Sequence, residues 1–283
     1  MYQDYMQTIL DGKTINSAIP SFYKELDDFI GGFRPGQLSV ISASCGMGKT
    51  SFCLSILYRI LRNTEKKVAY FTLGETQEKT VERMMQIDMG KSVKDIILYK
   101  ETPKFLGKNL SIDTCIECFG DLKWKALVLA REGYELLCID CIQDIELNKG
   151  CIPSEEQMRQ IIYSLRTLSR QLNMHIMLIS QRAHNYYGEV DETPEYPYWH
   201  QRGDGGACNE VADLSLHLIR PEYYGVYLDE KGHDLRSRID VHILKNRNGS
   251  TGKVSLKFNR YIGRLEDEQT VEYDKLSLKN DSK

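Results

Sequence analysis

Apolar runs in this chain are short. None approaches the ~20 consecutive apolar residues that a membrane-spanning helix needs, so no such span is expected. A secretory leader is not expected either. Met1-Tyr2-Gln3-Asp4 has no basic start followed by an apolar stretch. The expected location is therefore cytoplasmic. A charge excess of one sign is also missing: 37 basic residues face 40 acidic ones, for a net charge of −3. With a pI of about 6.1, this argues against a generic nucleic-acid coat and leaves room for local basic contacts. No internal repeat is visible, and 283 residues suffice for one large domain or two small ones.

Cysteine, by contrast, occurs eight times. Cys115-x-x-Cys118 and Cys138-x-x-Cys141 have a spacing seen in zinc sites. Ligand pairs sit on tight turns, however, and Cys138 lies inside the apolar run Leu136-Leu137-Cys138-Ile139. Reduced structural thiols are the expectation, without disulfides in a reducing compartment.

A hydrophobic content of 41%, with 10% aromatics, supports a packed globular core. The most informative stretch is Ala43-Ser44-Cys45-Gly46-Met47-Gly48-Lys49-Thr50-Ser51. It follows the β-prone run Leu38-Ser39-Val40-Ile41 and precedes Phe52, Cys53, Ile56, Leu57, Ile60 and Leu61, which recur at helical spacing. A Gly-rich turn between strand and helix, ending in Gly-Lys-Thr, has the architecture of a phosphate-binding loop. Its backbone N–H groups and the helix N-terminus form an anion cradle. Residues 44–51 are read as that cradle, with Lys49 reaching the β- and γ-phosphates and Thr50 ligating Mg²⁺. Ala43 stands where the general motif has Gly. A nucleoside triphosphate, ATP with Mg²⁺, is the expected ligand.

From Ser21 onward, strand and helix signals alternate. Strands are expected at 38–42, 68–73, 109–112, 135–140, 175–180, 213–219, 239–245 and 253–258, and helices at 50–63, 77–90, 121–132 and 154–172. Such alternation predicts an α/β fold with a mainly parallel sheet flanked by helices. Arg247-Asn248-Gly249-Ser250-Thr251-Gly252 reads as the turn of an antiparallel hairpin at the sheet edge. Residues 1–18 read as a short amphipathic helix plus connector, with Tyr2, Met6, Ile9 and Leu10 on one face, and 268–283 as a polar tail. Residues 182–206 break the pattern with a long irregular loop, functional or disordered.

Three strand ends carry further chemistry. Leu136–Asp140 ends in a carboxylate that either holds Mg²⁺ through water beside a phosphate loop or caps the following turn. Ile176–Gln181 ends in a glutamine able to sense the γ-phosphate or orient water. Val68–Leu73 runs into Gly74-Glu75-Thr76. There Glu75 either positions the attacking water or merely begins the next helix with Thr76.

Together these segments resemble the C-terminal, RecA-like ATPase domain of DnaB-type replicative DNA helicases, over about residues 1–267. The resemblance rests on Ile30–Leu38 (Ile-Gly-Gly-Phe-Arg-Pro-Gly-Gln-Leu), on Cys45–Thr50, on Phe71-Thr72-Leu73-Gly74-Glu75, on Ile139-Asp140-Cys141-Ile142-Gln143 and on Ser180-Gln181. It is most specific at Lys245-Asn246-Arg247-Asn248-Gly249-Ser250-Thr251-Gly252, which is similar to the family's Lys-x-Arg-Asn-Gly-x-x-Gly hairpin. Phe258 and Arg264-Leu265-Glu266-Asp267 follow it as in the family. Ala43 also agrees with it. The resemblance implies a RecA-like P-loop NTPase domain over 19–267, acting as an ATPase and helicase in DNA replication. It further implies a hexameric ring with ATP between subunits, and Lys245 and Arg247 reaching the γ-phosphate held by the next subunit. Residues 1–18 would be the linker that docks on a neighbour.

Three departures accompany the resemblance. The family's catalytic glutamate directly follows the leucine of the second strand; Gly74 stands there, and Glu75 comes one residue late. A one-residue slip turns a side chain to the other face unless a bulge absorbs it. The family's amino-terminal, primase-contacting domain is not represented. The 182–206 loop, DNA-facing in the family, is acidic: Arg182 and Arg202 stand against Glu189, Asp191, Glu192, Glu195 and Asp204. Tyr186, Tyr187, Tyr196, Tyr198 and Trp199 either stack on bases of single-stranded DNA or pack the loop onto protein. Two functions follow: a ring-forming ATP-driven motor on single-stranded DNA, possessing the intact loop, Asp140, Gln181 and Arg247; or an ATP-binding regulator or loader of a helicase, as Gly74 and the acidic loop suggest.

Overall fold

The computed structural model describes residues 18–100, 103, 109–181 and 204–267. The linker proposed for 1–18 (Ala18 apart), the tail over 268–283, and Arg182, Tyr186, Tyr187, Tyr196, Tyr198, Trp199 and Arg202 lie outside them.

Among the described residues, nine strands form one sheet in the order β3-β2-β4-β5-β1-β6-β7-β8-β9. They are β1 (Leu38–Ala43), β2 (Lys67–Thr72), β3 (Leu110–Asp113), β4 (Tyr134–Asp140), β5 (His175–Gln181), β6 (Leu214–Ile219), β7 (Arg238–Asn246), β8 (Gly252–Asn259) and β9 (Arg264–Asp267). The first six pair in parallel, and β6 through β9 pair antiparallel. The helices are α1 (Lys24–Ile30), α2 (Lys49–Asn63), α3 (Gln77–Met89), α4 (Val93–Tyr99), α5 (Phe119–Arg131), α6 (Glu155–Leu172) and α7 (Asp204–Val211).

The parallel strands are apolar on both faces because both faces are covered. In β4, Leu136 and Cys138 face one core with Phe52, Ile56 and Ile60 of α2, while Leu137 and Ile139 face the other with Ile161, Ile162 and Leu165 of α6. Helix α6 is positioned by the spacing of its apolar residues: Met158, Ile161, Ile162, Leu165 and Leu168 form a buried stripe. A capping box starts it, in which Ser154 and Gln157 exchange side-chain-to-backbone hydrogen bonds. Helix α2 is buried nearly all round because it sits between the sheet and both α3 and β9. Strand β9 is held there by Tyr23, whose hydroxyl donates to the Leu265 carbonyl at 3.0 Å, and by the Arg59–Asp267 ion pair.

The expected α/β architecture and all eight expected strands are present, their ends shifted by a residue or two. Three short helices, α1, α4 and α7, are additional, α7 overlapping the stretch expected to be loop. Seven or eight residues carry too little periodicity to read. The hairpin of β7 and β8 belongs to the antiparallel edge of the sheet, β6 to β9, with the short β9 added outside β8. Only four residues long, β9 is fixed by its contacts with Tyr23, just before α1, and with α2.

Candidate active site

Parallel register brings four strand ends to one edge: Thr72 lies beside Asp140, and Ala43 beside Gln181. In open α/β sheets, ligands bind outside such carboxyl ends. Here the chain leaves β1 at Ala43, turns through 44–48 and enters α2 at Lys49. Gly46 (φ 76°) and Gly48 (φ 89°) occupy the left-handed region, which a side chain would strain. A Cβ at Gly46 would also stand 3.0 Å from the Tyr223 ring. The first N–H groups of α2 have no intrahelical acceptors, and its first turn has no acidic residue, so the loop presents a positive end.

The Lys49 side chain is buried, and its ammonium donates to the carbonyls of Ala43 (3.2 Å) and Ser44 (2.9 Å). Burial lowers its pKa from the usual lysine value. An anion placed there would compensate the desolvated cation.

Asp140 is the hub of the opposite wall. Its Oδ2 accepts hydrogen bonds from the Thr50 hydroxyl and the Tyr70 hydroxyl, each at 2.6 Å. Burial and the carboxylate together push the Tyr70 phenol well above its ordinary pKa, so it stays a donor. Among the described residues no group of three or more His, Cys, Asp or Glu side chains forms a metal cage. Two hard oxygens, from Thr50 and Asp140, nevertheless meet beside the phosphate loop. That donor set suits Mg²⁺, which binds one or two protein oxygens and takes the rest from phosphates and water.

Gln181 ends β5 in the same cleft, of about 470 Å³, which is within the ordinary range for ligand sites. Its backbone N–H is held by the Gln143 side-chain oxygen at 2.9 Å, and the Gln143 amide donates to Ser180 at 3.2 Å. Three arginines that sequence reasoning missed line the cleft: Arg83 of α3, Arg220 after β6 and Arg260 after β8. Arg220 donates to the Gly46 carbonyl at 3.1 Å, pairs with Glu222 and lies over the Phe258 ring. No local motif marks these residues. Long-range packing alone brings them to the loop.

Other candidates stand elsewhere. Glu75 turns to α3, where its Oε1 accepts from Arg83 (3.0 Å) and lies 3.6 Å from the Lys79 ammonium. Lys245 caps the end of α7, donating to the carbonyls of Asn209 (2.9 Å) and Glu210 (2.7 Å). Arg247 lies 3.3 Å from Asp213, which also accepts from the Leu38 N–H and pairs with Arg166. Leu38 begins β1 and Ala43 ends it, so Arg247 and the phosphate loop stand at opposite edges of the sheet. Five strand residues separate them, about 17 Å at ~3.3 Å per residue. Cys138 is buried in β4, and the Cys141 thiol, its pKa pushed up to about 12 by burial, donates to Asp144 at 2.9 Å.

A family model described as the DnaB-like helicase C terminal domain matches residues 18–267. The replicative DNA helicase DnaB of Geobacillus stearothermophilus is 27% identical over 256 residues, which is 86% of this chain and 55% of that protein. The replicative DNA helicase DnaC of Bacillus subtilis is 25% identical over 269 residues, 90% and 58% of the two chains. The chain thus spans little more than half the length of these curated relatives. Among solved structures, an ATPase domain superposes with a TM-score of 0.79 at 21% identity, covering 95% of this chain and 99% of that one. A DnaB-like replicative helicase, described with its interactions with primase, gives 0.75 at 21% identity, covering 94% and 66%. At that identity the likeness establishes the fold, a RecA-like ATPase domain.

Proposed function

The chain belongs to the DnaB-like helicase C-terminal domain family, and on that premise we propose that it is an ATP-driven, ring-forming motor on single-stranded DNA. Residues 19–267 are the ATPase domain, and residues 1–18 link it to a neighbouring subunit. ATP lies on the loop 44–51, with the Lys49 ammonium on its β- and γ-phosphates. Thr50 and Asp140 hold Mg²⁺, which when bound neutralises phosphate charge. Tyr70 keeps the Asp140 carboxylate turned toward Thr50. Gln181, at the end of β5, reports the γ-phosphate to the 182–206 loop that follows it, the segment proposed to meet DNA through Arg182, Tyr186, Tyr187, Trp199 and Arg202.

The observation that carries the ring is the split of the site. Loop and cations lie at opposite edges of one sheet, so Arg247 and Lys245 serve a nucleotide only if they reach the next subunit. A head-to-tail ring supplies that arrangement at every interface. Its partners are further copies of the chain, most simply five in a ring of six, single-stranded DNA and other replication proteins.

One observation favours a second reading, an ATP-binding regulator or loader with little turnover. The carboxylate expected to orient water, Glu75, is engaged by Arg83 and Lys79. Steady-state ATP hydrolysis with and without single-stranded DNA separates the two, with Lys49→Ala as the background. Strong stimulation by DNA is expected of the motor; ATP binding without turnover would assign the regulator.

A further inference from the structure

We propose that Asp144 supplies the carboxylate that positions the attacking water and accepts its proton, in place of any side chain at the end of β2. The proposal rests on the ATP-hydrolysis reading above.

Hydrolysis needs a carboxylate near the γ-phosphate, beside the loop and not already paired with a cation. Glu117 and Glu146 line the cavity beside Leu73 and Asp144, but Glu117 pairs with Lys149 and Glu146 accepts from the Gly150 N–H. Among the described residues, three other acids stand near the edge where β2 and β4 end. Asp140 takes two hydroxyl donors on one oxygen and belongs to the cation side of the site. Glu75 is held by a guanidinium and an ammonium, with its side chain only 18% exposed. Asp144 differs from both. It closes the short 3-10 turn Ile142–Asp144 that follows β4, and it is exposed to solvent. Its Oδ2 accepts the Cys141 thiol at 2.9 Å, and Cys141 lines the cleft together with Lys49 and Thr50. One hydrogen bond therefore separates the Asp144 carboxylate from the wall of the site.

Gly74 explains why the carboxylate fits there. The Leu73 N–H donates to the Asp140 carbonyl at 2.8 Å, which ties the end of β2 to the end of β4. At the next residue, a Cβ would lie 3.3 Å from Asp144 Oδ2 and 4.0 Å from its Cγ. The space that a side chain at position 74 would enter is filled by the Asp144 carboxylate. A missing side chain on one strand and an acid on the neighbouring turn are complementary in this chain. The bland alternative is that Asp144 only closes its turn, since its own N–H donates to the Cys141 carbonyl at 3.2 Å. That role needs the backbone and the one thiol that donates to Oδ2, and involves no cation.

In the step itself, the water oxygen bonds to the γ-phosphorus while the bond from phosphorus to the β,γ-bridging oxygen breaks. The water proton passes to Asp144, and the bond's electron pair leaves on the terminal oxygen of ADP.

The test compares Asp144→Asn, Glu75→Gln and the double variant Gly74→Glu with Asp144→Asn, all in the full chain with single-stranded DNA. Affinity is read with a fluorescent ATP analogue and turnover at saturating ATP. Asp144→Asn is expected to lower turnover by about 10²-fold or more, with affinity changed by less than about threefold, and to cost more turnover than Glu75→Gln. The double variant, which returns a carboxylate to the same space from the other strand, is expected to recover much of the loss. A purely structural role predicts no such rescue. Wild-type turnover in Asp144→Asn, an equal fall in affinity and turnover, or a larger loss in Glu75→Gln would overturn the proposal while leaving the ATPase reading standing. A wild-type protein that binds ATP and never hydrolyses it would end both.

Discussion

Replacing Arg247 by alanine should remove a catalytic cation while leaving the fold intact. Within its own chain, Arg247 is 3.3 Å from Asp213, and its side chain is 44% exposed. An ion pair that open to water contributes about 0–1 kcal/mol. Asp213 keeps Arg166 at 3.2 Å and the Leu38 N–H at 3.1 Å, so the buried carboxylate is not orphaned by the change. Folding should therefore survive. Turnover should not, because an arginine acting across an interface is worth about 10³-fold or more. The distance of about 17 Å along β1 rules out a role on the chain's own nucleotide. The decisive assay mixes Arg247→Ala chains with Lys49→Ala chains. Each variant alone should be inactive, for different reasons. In a randomly mixed head-to-tail ring, about one interface in four joins an intact loop to an intact Arg247, so activity should return to roughly a quarter of wild type if sites act independently. Coupling round the ring would lower that figure, so a second readout is needed. Wild-type specific activity should fall on dilution below the assembly range. Activity per chain that is unchanged by dilution, together with no recovery in the mixture, would refute the shared site and leave Arg247 as a solvated hairpin residue.

Two further outcomes follow from the geometry. Asp140→Asn should impair Mg²⁺-dependent hydrolysis far more than nucleotide binding, since the carboxylate orients the cation and organises Thr50 and Tyr70; wild-type turnover would reduce it to a turn residue. His175 is fully buried between Ser39 (2.8 Å) and the Arg34 carbonyl (2.9 Å), and burial lowers its pKa from 6.5 to about 4. The unfolded chain then binds the proton first, so stability is full above pH 6.5 and is lost as pH falls from there toward 4, by on the order of 3 kcal/mol. Urea unfolding across that window should show a shallower pH slope for His175→Gln than for wild type, and equal slopes would exclude His175 as the cause.

The parts of this protein that local chemistry dictates were legible without coordinates. Gly46 and Gly48 between an apolar strand and an amphipathic helix announce a loop that leaves backbone N–H groups free. An apolar run ending in Asp140 announces a carboxylate at a strand end. Strand and helix periods are set by which face each segment buries, so eight of the nine strands and the four longer helices appear in the pattern. The short helices α1, α4 and α7 do not, because about two turns present too little period, and the four-residue β9 does not either.

Which strand ends meet is a different matter. Tyr70 and Asp140 are 70 residues apart, and only the parallel register of β2 and β4 lays the phenol on the carboxylate. Arg83 comes from a helix and Arg220 and Arg260 from two separate connections, and they converge because α3, β6 and β8 pack around the loop. Glu75 reads as a candidate base from its place in the chain, yet the start of α3 turns it to Arg83 one face away. Asp144 carries no signal in the sequence, and only the ends of β2 and β4 bring it against Gly74. Sequence alone determined the loop, the cation-side acid and the α/β pattern, because neighbouring residues create them. Tertiary structure decided which arginines, tyrosine and carboxylates share the site, because burial patterns specify that a face is covered and carry no record of what covers it.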